Sequence, residues 1–234
     1  MFKKKLTLEY ESLNDHYPNP ITPSKNHIPD WYKKISLWKN NEVLDVTNQT
    51  FNKSLKHCAP FLEAMVNGYM VTLPHDLYVK GDNEFCYVYW NIVDHPPKAR
   101  NDVANPAIVP AGHYPIEYAW SYPVTHTIPK GYSILFTHPL NRHDLPFTTL
   151  SGIVDGGDFI MTAQGQVPFY IKKDFEGIIP SGTPIVQLIL FRNENWKSKK
   201  KEGLTKLADI QNKKSGSFVH GWYKKTIWKR KKYD

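Results

Sequence analysis

A chain of 234 residues that is 41% hydrophobic, 14% aromatic and 22% charged has the material for a buried core and falls outside the disordered class. Two cysteines exclude a disulfide framework, and no stretch approaches the roughly 18 apolar residues of a membrane-spanning helix. The net charge of +8 is unevenly placed: residues 196–234 hold 13 Lys/Arg against 3 Asp/Glu, and the first 195 hold 17 against 19, so a basic tail follows a nearly neutral body.

Eighteen prolines against thirteen glycines predict many turns and few long helices. The start, Met1 to Leu6, has a positive charge without an apolar run behind it, so no secretory segment is expected. An intracellular chain follows, with Cys58 and Cys86 as free, buried thiols.

Leu6 to Tyr10 alternates and predicts a short strand. Pro18, Pro20, Pro23 and Pro29 withhold backbone donors and restrict their neighbours, which makes residues 1–53 an extended arm. Asp30 is placed to cap a short helix that buries Trp31 and Ile35. Residues 54–195 read as a mainly-β domain. It opens with a helix over residues 60–67, where Pro60 suits the first turn and Gly68 the position past the end. Phe61, Leu62, Met65 and Val66 share one face of that helix.

Strands are predicted at residues 69–73 and 76–80, and at 84–92 after a turn at residues 81–83; the third is aromatic or apolar on both faces and is expected to be covered on both. Residues 94–115 read as a long loop. Further strands are predicted at 117–122, 132–137, 150–154, 167–171 and 184–191, with turns at 129–131, 155–158, 164–166 and 180–182. The sum is a sandwich or barrel of short strands with one short helix and a basic C-terminal extension over 196–234.

The densest polar group outside the tail is His138, Asn141, Arg142, His143 and Asp144, between two apolar strands and so in a loop at one end of a sheet. Arg142 and the imidazoles suit an anion. A metal is the less fitting ligand, because His-x4-His-Asp is not a metal-site spacing. A structural loop is the third reading. Glu117 lies between aromatics, where it could act as an acid or point to solvent from an alternating strand. Asp155 and Asp158 bracket two glycines, as a hairpin turn requires. Neither cysteine has a nucleophile's partner nearby, and no phosphate loop or dinucleotide fingerprint occurs.

Three turn signals then recur in order: Ile128-Pro129-Lys130-Gly131, Gly152-Ile153-Val154-Asp155, and Ile179-Pro180-Ser181-Gly182 leading into Val186-Gln187-Leu188-Ile189. Together they resemble the β-clip core of dUTP pyrophosphatases and dCTP deaminases, over residues 128–192. The resemblance implies a nucleotide site with Asp155 orienting water or sugar and Arg142 on phosphate; with the polar loop this gives Asp155 and His143 as catalytic candidates and His138, Asn141, Arg142 and Asp155 as ligand-binding candidates. Mg²⁺ belongs to that case alone; otherwise no cofactor and no metal are expected. The phosphate-gripping Arg-Ser-Gly and the glycine-rich arm of those enzymes are missing: residues 138–144 stand in place of the first, and a lysine- and tryptophan-rich tail in place of the second.

The phrases Ile28-Pro29-Asp30-Trp31-Tyr32-Lys33, Cys58-Ala59-Pro60-Phe61-Leu62-Glu63-Ala64-Met65 and residues 138–147 also resemble a set of phage and bacterial proteins, which implies a viral source. The expected function is a phage-type binding or assembly protein with a non-catalytic core, docking on protein, above all like subunits, in the cytoplasm of an infected host or in a virion. Its contact residues are expected in the tail: Trp222, Tyr223, Lys224, Lys225, Trp228, Lys229 and Arg230. The alternatives are a divergent nucleotide hydrolase or deaminase, and a nucleic-acid binder whose tail neutralises phosphates and stacks on bases. No membrane partner is expected.

Overall fold

The computed structural model describes residues 6–13, 15–48, 50–82, 85–90, 96–100, 108–157, 160, 166–216 and 222–234, without the side chains of 214–216 and 222. The strands are β1 (Glu9–Ser12), β2 (Ile21–Pro23), β3 (Leu44–Asp45), β4 (Thr50–Phe51), β5 (Tyr69–Thr72), β6 (Leu77–Gly81), β7 (Cys86–Tyr89) and β8 (Lys98–Ala99). After them come β9 (Tyr118–Ser121), β10 (Val124–Thr127), β11 (Tyr132–Thr137), β12 (Phe147–Thr149), β13 (Gly152–Asp155), β14 (Gln166–Ile171), β15 (Gly177–Ile179) and β16 (Pro184–Arg192). The helices are α1 (Asp30–Lys34), α2 (Ala59–Val66), α3 (Leu204–Gly216) and α4 (Trp222–Thr226).

The chain is therefore mainly β, built of antiparallel sheets that do not close into a barrel. The largest sheet runs β13-β11-β16-β5-β2; a second runs β12-β14-β9-β8 and a third β15-β6-β7, with the small pairs β1-β10 and β3-β4 beside them. The three larger sheets share one core. Val71, Ile134, Phe136 and Leu188 come from the first, Trp120, Phe147 and Phe169 from the second, and Val79, Cys86 and Val88 from the third. Trp120 stacks on Phe169 at 3.5 Å between ring centroids, with Phe147 edge-on at 5.0 Å. The Trp120 indole donates to Thr149 Oγ1, and that hydroxyl donates to the Ile185 carbonyl, tying the second sheet to β16.

β16 lies in the middle of its sheet and is buried on both faces over its first half. One face enters the core; the other meets α2. Gln187, which by its polarity alone would be the exception to this burial, is fully buried. Its carbonyl oxygen accepts the Leu140 N–H at 2.8 Å, and its amide donates to the carbonyls of Ala64 (2.9 Å) and Asn67 (2.7 Å). One side chain thus joins the helix end, the sheet centre and the loop after β11. Gly68 makes this approach possible: its φ is +73°, and a Cβ there would fall on the Leu188 carbonyl oxygen.

Several expectations need correcting. Asp30 is the first helical residue, not the cap; Pro29 precedes α1, and the residue α1 buries is Tyr32, with Trp31 and Ile35 half-exposed. Cys58 is exposed, and Cys86 alone is buried. The alternation of β7 is that of a sheet with one wet face, because Tyr87 and Tyr89 point outward. The long loop contains β8, and residues 101–107 within it lie outside the described residues. So do parts of three expected turns, at residue 83, at 158 and at 164–165, and residues 84 and 91–92 of the expected strand over 84–92.

Candidate functional site

Residues 138–146 form the loop from β11 to β12, as the apolar flanks require. His138 Nδ1 accepts the Thr149 N–H at 3.3 Å while Nε2 lies 3.0 Å from the Arg142 carbonyl, which fixes the neutral ring with its proton on Nε2. Burial lowers its pKa to about 4, against the raising effect of that carbonyl. Asn141 adopts a left-handed backbone (φ +62°) and donates its amide to the Phe61 carbonyl at 3.3 Å.

Arg142 is 12% exposed and grips Asp144 through two parallel bonds, Nε to Oδ1 at 2.9 Å and Nη2 to Oδ2 at 2.9 Å. Its Nη1 donates to the His27 carbonyl at 3.3 Å, and the Trp31 indole donates to Asp144 Oδ1 at 3.1 Å. Burial raises the Asp144 pKa, but the Arg142 hydrogen bonds and charge, with Trp31, outweigh it and hold the carboxyl low. His143 accepts Lys172 Nζ on its carbonyl at 2.6 Å. The polar loop is thus the fastening of the N-terminal arm and α2 to the core, and its guanidinium already has a carboxylate.

Asp155 ends β13 at the opposite end of β11. It pairs with Ser133, whose hydroxyl donates to Asp155 Oδ1 at 2.5 Å, with Asn193 Oδ1 at 2.6 Å from the same hydroxyl. His138 lies five residues further along that strand, about 17 Å away at the rise of an extended chain. Within one chain, Asp155 therefore does not meet His138, Asn141, Arg142 or His143. Asp158 lies outside the described residues.

Glu117 does not face solvent. It is buried, bonded to the Arg100 guanidinium at 3.0 Å, and accepts the Tyr170 hydroxyl at 2.9 Å. Burial, and then Glu117, push the Tyr170 pKa up to about 12. Among the described residues, no group of three or more His, Cys, Asp or Glu is placed to hold a metal, and no helix is long and apolar enough to cross a membrane.

The tail divides into two parts. Residues 228–234 return to the domain: the Trp228 indole donates to Glu63 Oε2 at 2.8 Å, Lys231 Nζ donates to Glu63 Oε1 at 2.5 Å, and the Tyr233 hydroxyl donates to Asn67 Oδ1. Lys25 Nζ donates to the Tyr233 carbonyl at 2.8 Å, and the Tyr233 ring meets Tyr69 edge-on at 5.7 Å. With Leu8, Pro129, Tyr132 and Leu190, these last residues wall a cavity of about 340 Å³ at the open end of the core. Tyr223, Lys224, Lys225, Lys229 and Arg230 are exposed, and the side chain of Trp222 lies outside the described residues.

The remainder, residues 193–213, stands in solvent. There α3 carries Leu204, Leu207 and Ile210 at 52%, 60% and 53% exposure, with α4 lying against the helix. This stripe escapes notice in the sequence beside the louder tryptophans and lysines that follow it, although its spacing of three is a helical signal. A second unanticipated surface is the outer face of β6 and β7, with Tyr78, Tyr87 and Tyr89 exposed. A scan of family models matches none of them to this chain, and a search of curated proteins finds no match.

Proposed function

We propose that this chain is a binding or assembly protein that docks on protein, in the first place on copies of itself, through the C-terminal extension. The observation that carries the proposal is α3, an amphipathic helix of 13 residues whose apolar stripe is left in water. Helices of this length are marginal alone and take their stability from packing an apolar face. Lys197, Lys199, Lys200 and Lys201 precede it, all exposed, so the stripe is framed by positive charge. The anchoring of Trp228, Lys231 and Tyr233 on α2 and its end holds the far end of the extension to the domain.

The rival readings have less support. A nucleotide hydrolase built within one chain would need Arg142 and Asp155 near one another, and they lie at opposite ends of β11. A nucleic-acid tail would use aromatics among its cations, and two of them, Trp228 and Tyr233, are engaged on the domain, which leaves Trp196 and Tyr223 exposed. The viral source implied by the sequence resemblance suits an assembly role in a particle or an infected cell.

Sedimentation equilibrium of the full chain tests the reading. The expected mass is a multiple of the 27.1 kDa chain, and the triple variant Leu204→Glu, Leu207→Glu, Ile210→Glu is expected to return to one chain with its melting transition intact. A single-chain mass for the unaltered protein at high concentration, or no change in the variant, would defeat the proposal.

A further inference from the structure

The three-stranded sheet β15-β6-β7 turns Leu77, Val79, Cys86 and Val88 into the core. On its other face stand Tyr78, Tyr87 and Tyr89 at 42%, 51% and 50% exposure, beside Ile178. Tyr78 and Tyr89 are direct cross-strand partners with ring centroids 6.2 Å apart, and Tyr87 follows at 6.4 Å. Ile178 extends the row, paired with Tyr78 from the other side. A strand pair that leaves three large rings in water has a face suited to cover.

The rim of this face is acidic. Asp76 immediately precedes β6 and Asp82 immediately follows it, each held by a backbone N–H, from Ser181 at 2.7 Å and from Phe85 at 2.7 Å. Asp174 and Glu176 lead into β15, and all four are exposed. Lys80, on the tyrosine face itself as the cross-strand partner of Tyr87, and Lys173 are the opposing charges there.

We infer that this tyrosine face receives α3 of a second copy of the chain, an inference that rests on the self-association proposed above. Charge is the first argument. An amphipathic helix preceded by four lysines and Glu202, with Lys206, Asp209 and Lys213 along it, meets a tyrosine face bordered by four carboxylates. Neither surface covers the other within one chain, since both are exposed. Shape is the second argument. A 13-residue helix is about 20 Å long and about 10 Å wide, and three strands present a strip about 10 Å across.

Area is the third argument. The exposed parts of the three tyrosines, Phe85 and Ile178 amount to about 500 Å², and the α3 stripe to roughly 300 Å². Two reciprocal contacts in a two-fold dimer then remove on the order of 1,600 Å², the size of a stable specific interface.

Cysteine pairing tests the inference. In a Cys58→Ser background, one chain carries Leu207→Cys and another carries Tyr87→Cys; the two are mixed and oxidised, and disulfide-linked pairs are read on a non-reducing gel. The mixture is expected to give a mixed pair in large excess over either chain alone. Separately, Tyr87→Glu with Tyr89→Glu is expected to raise the dimer dissociation constant roughly a hundredfold or more. Mixing this variant with the α3 triple variant restores one of the two contacts, so association of the mixture should exceed that of either alone. If the α3 variant dissociates while the tyrosine variant stays associated and no mixed pair forms, the receiving face is wrong and the self-association reading stands. If neither variant changes the mass, both fall.

Discussion

Replacing Gln187 by leucine should be among the most damaging single changes in the chain. The side chain is fully buried and supplies three hydrogen bonds, one accepted from Leu140 and two donated to Ala64 and Asn67. Leucine fills a similar volume but leaves the three backbone groups without this partner, at about 1–3 kcal/mol each where nothing replaces it. A total of about 3–9 kcal/mol is a large part of the 5–15 kcal/mol that usually holds a domain together. Urea unfolding should show a lower midpoint with an unchanged slope.

Gln187→Glu separates hydrogen bonding from packing. It retains the acceptor for Leu140 but sets an oxygen against two carbonyls, so the folded state binds the acid in its protonated form. The folded pKa then lies above the unfolded value of about 4.3. Stability is present below that value and falls as pH rises from it, by up to about 1.4 kcal/mol per pH unit until the folded pKa is reached. The leucine variant should lack this slope. A loss below about 1 kcal/mol for leucine, or no pH dependence for glutamate, would refute the assignment of Gln187 as the polar pin.

Further expectations follow from other positions. His126 is buried against Tyr122 and Phe136, and burial lowers its pKa to about 4, so stability is whole above about 6.5 and declines as pH falls toward 4. His126→Phe should flatten that decline by up to about 1.4 kcal/mol per pH unit, which urea midpoints at pH 7 and 4.5 would reveal; an unaltered decline would count against it. Gly68→Ala should cost about 2–4 kcal/mol by thermal melting, because it combines a left-handed backbone with a collision at the Leu188 carbonyl. Trp228→Ala should release the end of the chain and speed tryptic cleavage at residues 229–232 several-fold while the domain melts unchanged; equal cleavage would mean that the indole bond to Glu63 does not hold the tail. Incubation with deoxynucleoside triphosphates and Mg²⁺ should give no turnover, and turnover abolished by Asp155→Ala would restore the enzyme reading.

Much of the β framework is legible in the sequence because alternation and turn residues report locally. The strands over 132–137, 167–171 and 184–191 reappear as β11, β14 and β16 within a residue at each end, and α2 is one residue displaced. The short strands β2, β10, β12 and β15 are hidden because pairing, not pattern, makes them strands. The site was less legible. His138, Asn141, Arg142 and Asp144 bear the marks of ligand groups, but their respective partners at positions 149, 61, 27 and 31 are brought in by tertiary structure. Glu117 is likewise paired across strands. The outward tyrosines of β7 were hidden by their own chemistry: an aromatic residue is read as core until the strand's neighbours show which face is wet.

The central place of β16 bears on how the polypeptide is made. This strand emerges from the ribosome after every other strand described, yet β5 and β11 both hydrogen-bond to it. At a synthesis rate of about 5–20 residues per second, the earlier strands wait for seconds with their inner edges open. Collapse of the main sheet therefore waits for β16. A ribosome stalled before residue 184 would hold a chain prone to stick to its neighbours, and a chaperone's assistance would matter most in that interval.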